Sequence, residues 1–279
     1  MIYLDNAATT FPKPREVQKA VIDCLARVGG NPGRGAHALS LRAAEAVWDA
    51  RCEIADFLCV RDPSSIIFVP NATFVHNLAL KCRIRHGDHI LISDQEHNAV
   101  FRPVYRLKAD GIADYSVYLG EGDVLSNIRK CENKNTAILI CNPTSNVTGR
   151  KLPIREIAVY AKARGFYLIV DGSQWIGHDV PDPDVVGLAD AIAVPGHKGL
   201  YGIQGRVFMY LKSPAGNATL IEAGSGSRSA LPDMPDELPD RYEAGTLPTP
   251  AITSLAAGVR FIRRYGVERI KEKETRLFQ

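Results

Sequence analysis

No charge of one sign dominates these 279 residues: 34 Lys and Arg stand against 31 Asp and Glu, a net charge of +3. Without a basic excess or a run of like charge, nothing points to a nucleic-acid or membrane partner. No apolar run approaches the roughly 18 residues of a membrane span, the longest being short runs such as FYLIV. The opening MIYLDNAATT lacks the basic region and apolar core of a secretory signal. Nor is there a CxxC pair. The six cysteines, Cys24, Cys52, Cys59, Cys82, Cys131 and Cys141, are scattered, which predicts reduced thiols in a cytoplasmic setting and argues against a disulfide framework or a metal site. No GxGxxG follows a strand, so a dinucleotide site has no support, and there is no repeat or low-complexity stretch. What remains is an ordinary globular composition, 46% apolar and 23% charged, too apolar for disorder. The length accommodates one large domain, or one domain plus part of another.

Short apolar runs recur at Ile66–Val69, His89–Ser93, Ala137–Cys141, Phe166–Val170, Ala191–Val194 and Arg206–Leu211. They are continuous and rich in Ile and Val, as strands buried on both faces are. Helical periodicity lies between and around them. Residues 14–28 open on Pro14 and stop at Gly29-Gly30, residues 40–59 start at Ser40, and residues 153–164 run from Pro153 to Gly165. Strands alternating with helices predict an α/β fold with a mostly parallel central sheet and helices on both faces. Residues 213–250, rich in Gly, Pro, Ser and Asp, predict a long functional loop. From Ala251 a helical pattern (Ile252, Leu255, Val259, Ile262) is expected to run toward Gln279 with nothing for its distal part to pack on. That reads as the start of a truncated second domain.

In an open parallel sheet, ligands bind beyond the carboxyl ends of the strands. The runs here are followed by Pro70-Asn71-Ala72-Thr73, Asp94-Gln95-Glu96-His97-Asn98, Asn142-Pro143-Thr144-Ser145-Asn146, Asp171-Gly172-Ser173-Gln174 and Pro195-Gly196-His197-Lys198-Gly199. One edge of the sheet thus collects a threonine, a histidine, an asparagine, an aspartate, a glutamine and a lysine. Pyridoxal 5'-phosphate suits such a set. It needs a lysine amine for its aldehyde, a carboxylate to keep its pyridine nitrogen protonated, a flat ring to stack on, and helix-start N–H groups for its phosphate. Lys198, Asp171, His97 and Thr73 fill these roles in that order.

The motifs YLDNAATT, NPGRGAH, NATFVHNLAL, DQEHNAV, NPTSNVTG, VDGSQ, PGHKG and RYEAGT, in this order, resemble the class V aminotransferase family, and within it the cysteine desulfurase and selenocysteine lyase branch. The resemblance extends from Met1 to about Gly258. It implies a fold-type I, pyridoxal-phosphate-dependent transferase in which Lys198 is the Schiff-base lysine, Asp171 pairs with the ring nitrogen and Gln174 donates to the ring hydroxyl. His97 would stack on the ring and help move protons, Ala72 and Thr73 would form the phosphate turn, and His197 would be a further phosphate ligand. Asn146 would lie near the substrate and the ring oxygen, and Asn6, Ala7 and Ala8 would line the substrate pocket. Ser225 would reach the phosphate of a neighbouring subunit, which implies a homodimer. The implied reaction removes sulfur from L-cysteine, giving L-alanine and an enzyme persulfide, with a sulfur-acceptor protein as partner. The implied organisation is a substrate-loop segment over 1–12, a large cofactor domain over 13–255, and over 256–279 the start of a helix leading to an absent small domain.

Three departures accompany the resemblance. Pro195 stands where relatives often carry Ser or Thr, so one hydroxyl contact to phosphate is absent. Phe74 replaces an acidic residue, and Ser225 replaces a threonine. A further and graver departure is the ending: relatives continue for about a hundred residues that supply a carboxylate-gripping arginine and a sulfur-receiving cysteine, and none of the six cysteines matches the latter. Alternative readings are another class V aminotransferase or lyase, and a non-catalytic remnant of the fold. His76, His86, His89 and His178 are expected to be ordinary core or surface histidines, and Cys59 and Cys141 packing residues. Arg34 and His37 fit either a substrate contact or a surface turn, and Gly224 and Gly226 a flexible turn carrying Ser225.

Overall fold

A computed structural model describes residues 2–33, 35–216, 218–225, 227 and 232–279, with the Phe278 side chain left aside. Arg34 and Gly226 lie outside the described residues. Seven strands form one sheet in the order β1-β7-β6-β5-β4-β2-β3. They are β1 (Ile66–Val69), β2 (His89–Ser93), β3 (Asp114–Tyr118), β4 (Thr136–Cys141), β5 (Tyr167–Asp171), β6 (Ala191–Pro195) and β7 (Val207–Leu211). Only β7 runs against the rest, pairing antiparallel with both β1 and β6. The carboxyl ends of β1, β2, β4, β5 and β6 therefore meet at one edge, and β7 begins there.

Continuous apolar strands are what a sheet covered on both sides requires. Ile66, Phe68, Leu139, Leu168 and Phe208 pack into one buried cluster, while Ile67, Val69, Ile138, Ile169 and Met209 pack into another. On the first face lie α2 (Ala38–Phe57), α5 (Val124–Cys131), α6 (Ile154–Arg164) and α7 (Pro183–Leu188), and on the second α3 (Ala72–Lys81) and α4 (Asn98–Ala109). The first face is completed by α8 (Thr249–Tyr265), which packs on α2 and on α1 (Arg15–Arg27). Ile252, Leu255, Val259 and Ile262 are all buried in it, as their spacing predicts. A Cβ on Gly258 would run into the Leu200 carbonyl, so glycine lets α8 approach the loop after β6.

The structure corrects three expectations. The C-terminal helix does not continue: Gly266, at φ +96°, ends α8, and α9 (Val267–Phe278) follows. Nor is α9 without contacts, since Val267 and Ile270 join the core while Lys271 and Glu274 pair with Asp179 and His178. Cys59, expected to pack, is exposed, while Cys141 is buried. His89 is an ordinary core histidine, bonded to Thr136 Oγ1 at 2.8 Å and Ser116 Oγ at 2.9 Å.

β1 is an edge strand, and an exposed edge invites mispairing. Here side chains close it. Arg51 of α2 makes a two-pronged bond to Glu243, 2.9 Å on each side, and also donates to the Ile66 carbonyl, while Phe68 N donates to Glu243 Oε1 at 2.6 Å. Burial pushes the Glu243 carboxyl up, and Arg51 offsets part of that. Removing one partner strands the other's charge. Arg51→Met is therefore expected to lower the unfolding free energy by about 3–5 kcal/mol, read from urea denaturation. Adding Glu243→Leu should recover most of that loss.

Candidate active site

At the carboxyl edge a cavity of about 250 Å³ opens between the strand ends. Eight of the residues singled out from the sequence line it: Ala72, Thr73, His97, Asn146, Asp171, Gln174, His197 and Lys198. The turn after β1 explains the first pair. Asn71 caps α3 by accepting from Phe74 N at 2.8 Å, which leaves the first N–H groups of the helix without intrahelical acceptors at the cavity wall.

His97 caps α4 in the same way. Its Nδ1 accepts from Ala99 N at 3.0 Å, so the neutral ring carries its proton on Nε2.

Asp171 ends β5 and is only 2% exposed. Burial alone would push its carboxyl up. The charge of His76, whose Nε2 stands 3.3 Å from Oδ2, and the Ser173 N–H, 3.0 Å from Oδ1, outweigh that and hold it well below the usual carboxylate range. The Lys198 amine is shifted the other way: burial lowers it from the ordinary lysine value, and the Asp171 charge offsets part of the drop. A carboxylate kept charged beside an amine made easier to deprotonate is an arrangement seen at sites that do chemistry.

The remaining expected residues divide. Ala7 accepts from Gln174 Nε2 at 2.9 Å and lines a neighbouring, more open cavity of about 560 Å³, whose wall also includes Asn146 and Gln174. Asn6 and Ala8 line neither cavity: Asn6 Oδ1 accepts from Phe11 N at 3.0 Å, and Ala8 N donates to the Asp5 carbonyl at 3.2 Å. Ser225 is buried, donates to the Ser227 carbonyl at 3.3 Å, and does not line its own chain's cavity. His37 caps α2 through Ser40 N.

Sequence reasoning missed several participants. His76, expected to be an ordinary histidine, is fully buried against Asp171. Its position on α3, the helix that the phosphate turn opens, was the available signal. Glu96 faces inward beside His97. Its Oε1 accepts from Ser93 Oγ at 2.6 Å and Asn142 N at 2.8 Å, and its Oε2 is buried with no hydrogen-bond partner among the described residues. Arg206 also lines the cavity. Finally, the N-terminal segment straps the lysine loop. Thr9 Oγ1 and Thr10 N each donate to the His197 carbonyl at 3.1 Å, Lys13 Nζ donates to it at 2.9 Å, and Thr10 Oγ1 reaches the Lys198 carbonyl at 3.2 Å. Burial pulls the Lys13 amine down to about 8.

Burial pushes the Glu96 carboxyl up to about 7, and the Asp171 charge adds to the rise against the opposing hydrogen bonds and His76. An acid with a raised folded-state pKa holds its proton more tightly folded than unfolded, so its contribution to stability falls as pH rises from its unfolded value toward 7. Asp171 has the opposite sign, and its contribution is lost only in acid. Glu96→Gln, which keeps the Ser93 and Asn142 bonds, is expected to flatten the stability profile between about pH 4.5 and 7. The variant should gain up to about 3 kcal/mol over the wild type at neutral pH, measured by urea unfolding across a pH series.

The chain matches the model of the family described as aminotransferase class-V over residues 2–279. It is 31% identical to a protein of Methanothermobacter thermautotrophicus named a probable cysteine desulfurase, over 97% of this chain and 69% of that protein. Among solved structures, an apo cysteine desulfurase from Thermococcus onnurineus superposes with a TM-score of 0.88 at 29% identity, covering 99% of this chain and 71% of that one. SspA, solved in complex with cysteine, superposes with a TM-score of 0.79 at 26% identity, covering 93% of this chain and 72% of that one. The match along nearly the whole chain leads to one conclusion: the chain belongs to the class V aminotransferase family, on its cysteine-desulfurase-like side.

Proposed function

We propose that the cavity binds pyridoxal 5'-phosphate and that the chain uses it to remove sulfur from L-cysteine, leaving L-alanine. The observation that carries this reading is the pairing, in one strand-end cavity, of a buried aspartate held ionised with a lysine amine drawn below its ordinary value. The donor set fits the group. His197 Nδ1 and Arg206 Nε are buried without hydrogen-bond partners among the described residues, and His197 is shifted down by burial and by the neighbouring Lys198 and Lys13 charges. The Arg206 Nε–H is an orphaned donor that calls for an acceptor, the unpartnered His197 nitrogen adds a second polar group to the same wall, and a phosphate supplies several acceptors.

The coenzyme, when bound, acts as an electron sink for bonds broken at the substrate's α-carbon. Lys198 would hold the coenzyme's aldehyde through Nζ, and its amine would be the base that moves protons at the substrate. Asp171 would keep the pyridine nitrogen protonated, and His76 and Ser173 keep Asp171 charged. Gln174 spends one N–H on the Ala7 carbonyl and retains a second for the ring hydroxyl. His97 would stack on the ring, with Nε2–H as the proton it can donate. Asn146, on the wall of both cavities, binds the substrate on its way in. Ser225, engaged away from its own cavity, serves the phosphate of a second copy in a homodimer. None of the six cysteines lines the cavity, so the thiolate that takes the sulfur approaches from the open side and passes it to an acceptor protein.

Adding pyridoxal phosphate to the purified protein should produce a visible absorbance band that Lys198→Ala abolishes. Incubation with L-cysteine and an added thiol reductant, which reduces the persulfide sulfur to sulfide, should release alanine and sulfide in equal amounts, with turnover at least a hundredfold lower in Lys198→Ala. Keto-acid formation from other amino acids without sulfide would instead make the chain an aminotransferase. No visible band in the wild type would reject the cofactor reading altogether.

A further inference from the structure

Resting on that reading, we propose that Arg206 is a ligand of the coenzyme's phosphate, making the contact that the proline at position 195 cannot. The strand order sets the place. β7 lies between β1 and β6, and its first residue, Val207, pairs with both Val69 and Pro195. The residue before Val207 therefore sits at the carboxyl edge between the Asn71–Thr73 turn, which follows Val69, and the Gly196–Lys198 loop, which follows Pro195. The backbones are close there: a Cβ added at Gly196 would meet the Arg206 carbonyl oxygen at 3.3 Å.

The guanidinium has no counter-charge among the described residues. Arg206 is half-buried on the cavity wall, and its Nε is buried with no partner. Glu243, the carboxylate whose charge reaches it, has both oxygens on Arg51 and one also on Phe68 N. Burial accordingly draws Arg206 below the ordinary arginine value. Asp171 is no substitute partner, being engaged by His76 and Ser173. It also ends β5, two strands along the edge from β7, or roughly 10 Å at the usual strand spacing. The edge therefore carries positive charge and helix-start N–H groups at the β1–β7 end and negative charge at β5, with Lys198 between. A ring bearing a phosphate at one end and a protonated nitrogen at the other matches that polarity in one orientation. A guanidinium fork suits a phosphate better than any hydroxyl would.

The test titrates the wild type, Arg206→Gln and Arg206→Lys with pyridoxal phosphate and with pyridoxal, which lacks the phosphate. Readouts are the visible band and the rise in melting temperature on ligand addition. Arg206→Gln is expected to weaken pyridoxal phosphate at least tenfold, to leave pyridoxal within twofold of wild type, and to lose most of the ligand-induced rise in melting temperature. Arg206→Lys, which keeps the charge without the fork, should fall between and guards against misfolding in the glutamine variant. Equal losses for both ligands, or no loss for either, would overturn the assignment while the cofactor reading stands. A wild type that binds neither ligand would instead overturn the reading beneath it.

Discussion

A carboxylate charged at neutral pH at the end of a strand buried on both faces runs against the physics of burial, because moving an ion out of water costs several kcal/mol unless it is paired and hydrogen-bonded. Asp171 meets that requirement with a histidine from the helix below and a backbone N–H from the turn that follows it. The site depends on this. Its negative charge lowers the cost of the Lys198 ammonium and gives the cavity the polarity that a zwitterionic aromatic ring can use. The neighbouring Glu96, only part-buried as a residue but with its Oε2 buried and no ion pair of its own among the described residues, moves in the opposite direction. Two carboxylates within one electrostatic neighbourhood are thus separated by their partners, one charged and one proton-holding.

The reversed strand has a second consequence. Were β7 parallel to its neighbours, its start would lie at the opposite edge, and Arg206 with it. Because it runs backwards, the edge that collects strand carboxyl ends also receives a strand beginning, flanked by the loops that follow Val69 and Pro195. The same reversal puts β1 at the margin of the sheet, where the Arg51–Glu243 pair covers its open side. Glu243 lies in RYEAGT, one of the motifs that carried the family resemblance. In this chain the motif's acid closes an edge strand, so a recognisable motif need not be part of the chemistry.

Much of this was legible in the sequence. Buried strands announce themselves as uninterrupted Ile and Val runs, and α8 was readable from the spacing of Ile252, Leu255, Val259 and Ile262. β3 was not, because Asp114–Tyr118 is a half-exposed edge strand in which apolar and polar residues mix without a clear period. The break at Gly266 escaped because a lone glycine within a helical pattern is usually tolerated. Residues that follow strands, such as Asp171 and Lys198, could be placed at a common edge by topology alone. His76 could not. What brings it to Asp171 is the packing of α3 beneath the sheet, a tertiary contact that leaves no periodic trace, and the same holds for the strap from Thr9, Thr10 and Lys13 to the lysine loop.

Glu96 and His97 show how one dipeptide can serve both sides of a boundary. They follow β2 in the short link to α4, where His97 takes the extended conformation of a helix cap, at φ −70° and ψ 155°. Extended backbone sends consecutive side chains in opposite directions. Glu96 turns back under the strand ends to hold Ser93 and Asn142 N, while the imidazole of His97 turns out to the cavity. The Asn142 bond ties the end of β2 to the end of β4, which hold His97 and Asn146 on the same wall. Glu96 thereby fixes the spacing between two residues on the cavity wall without reaching the cavity itself, and an acid whose carboxyl is raised to about 7 carries less negative charge beside Asp171 than an ordinary carboxylate would.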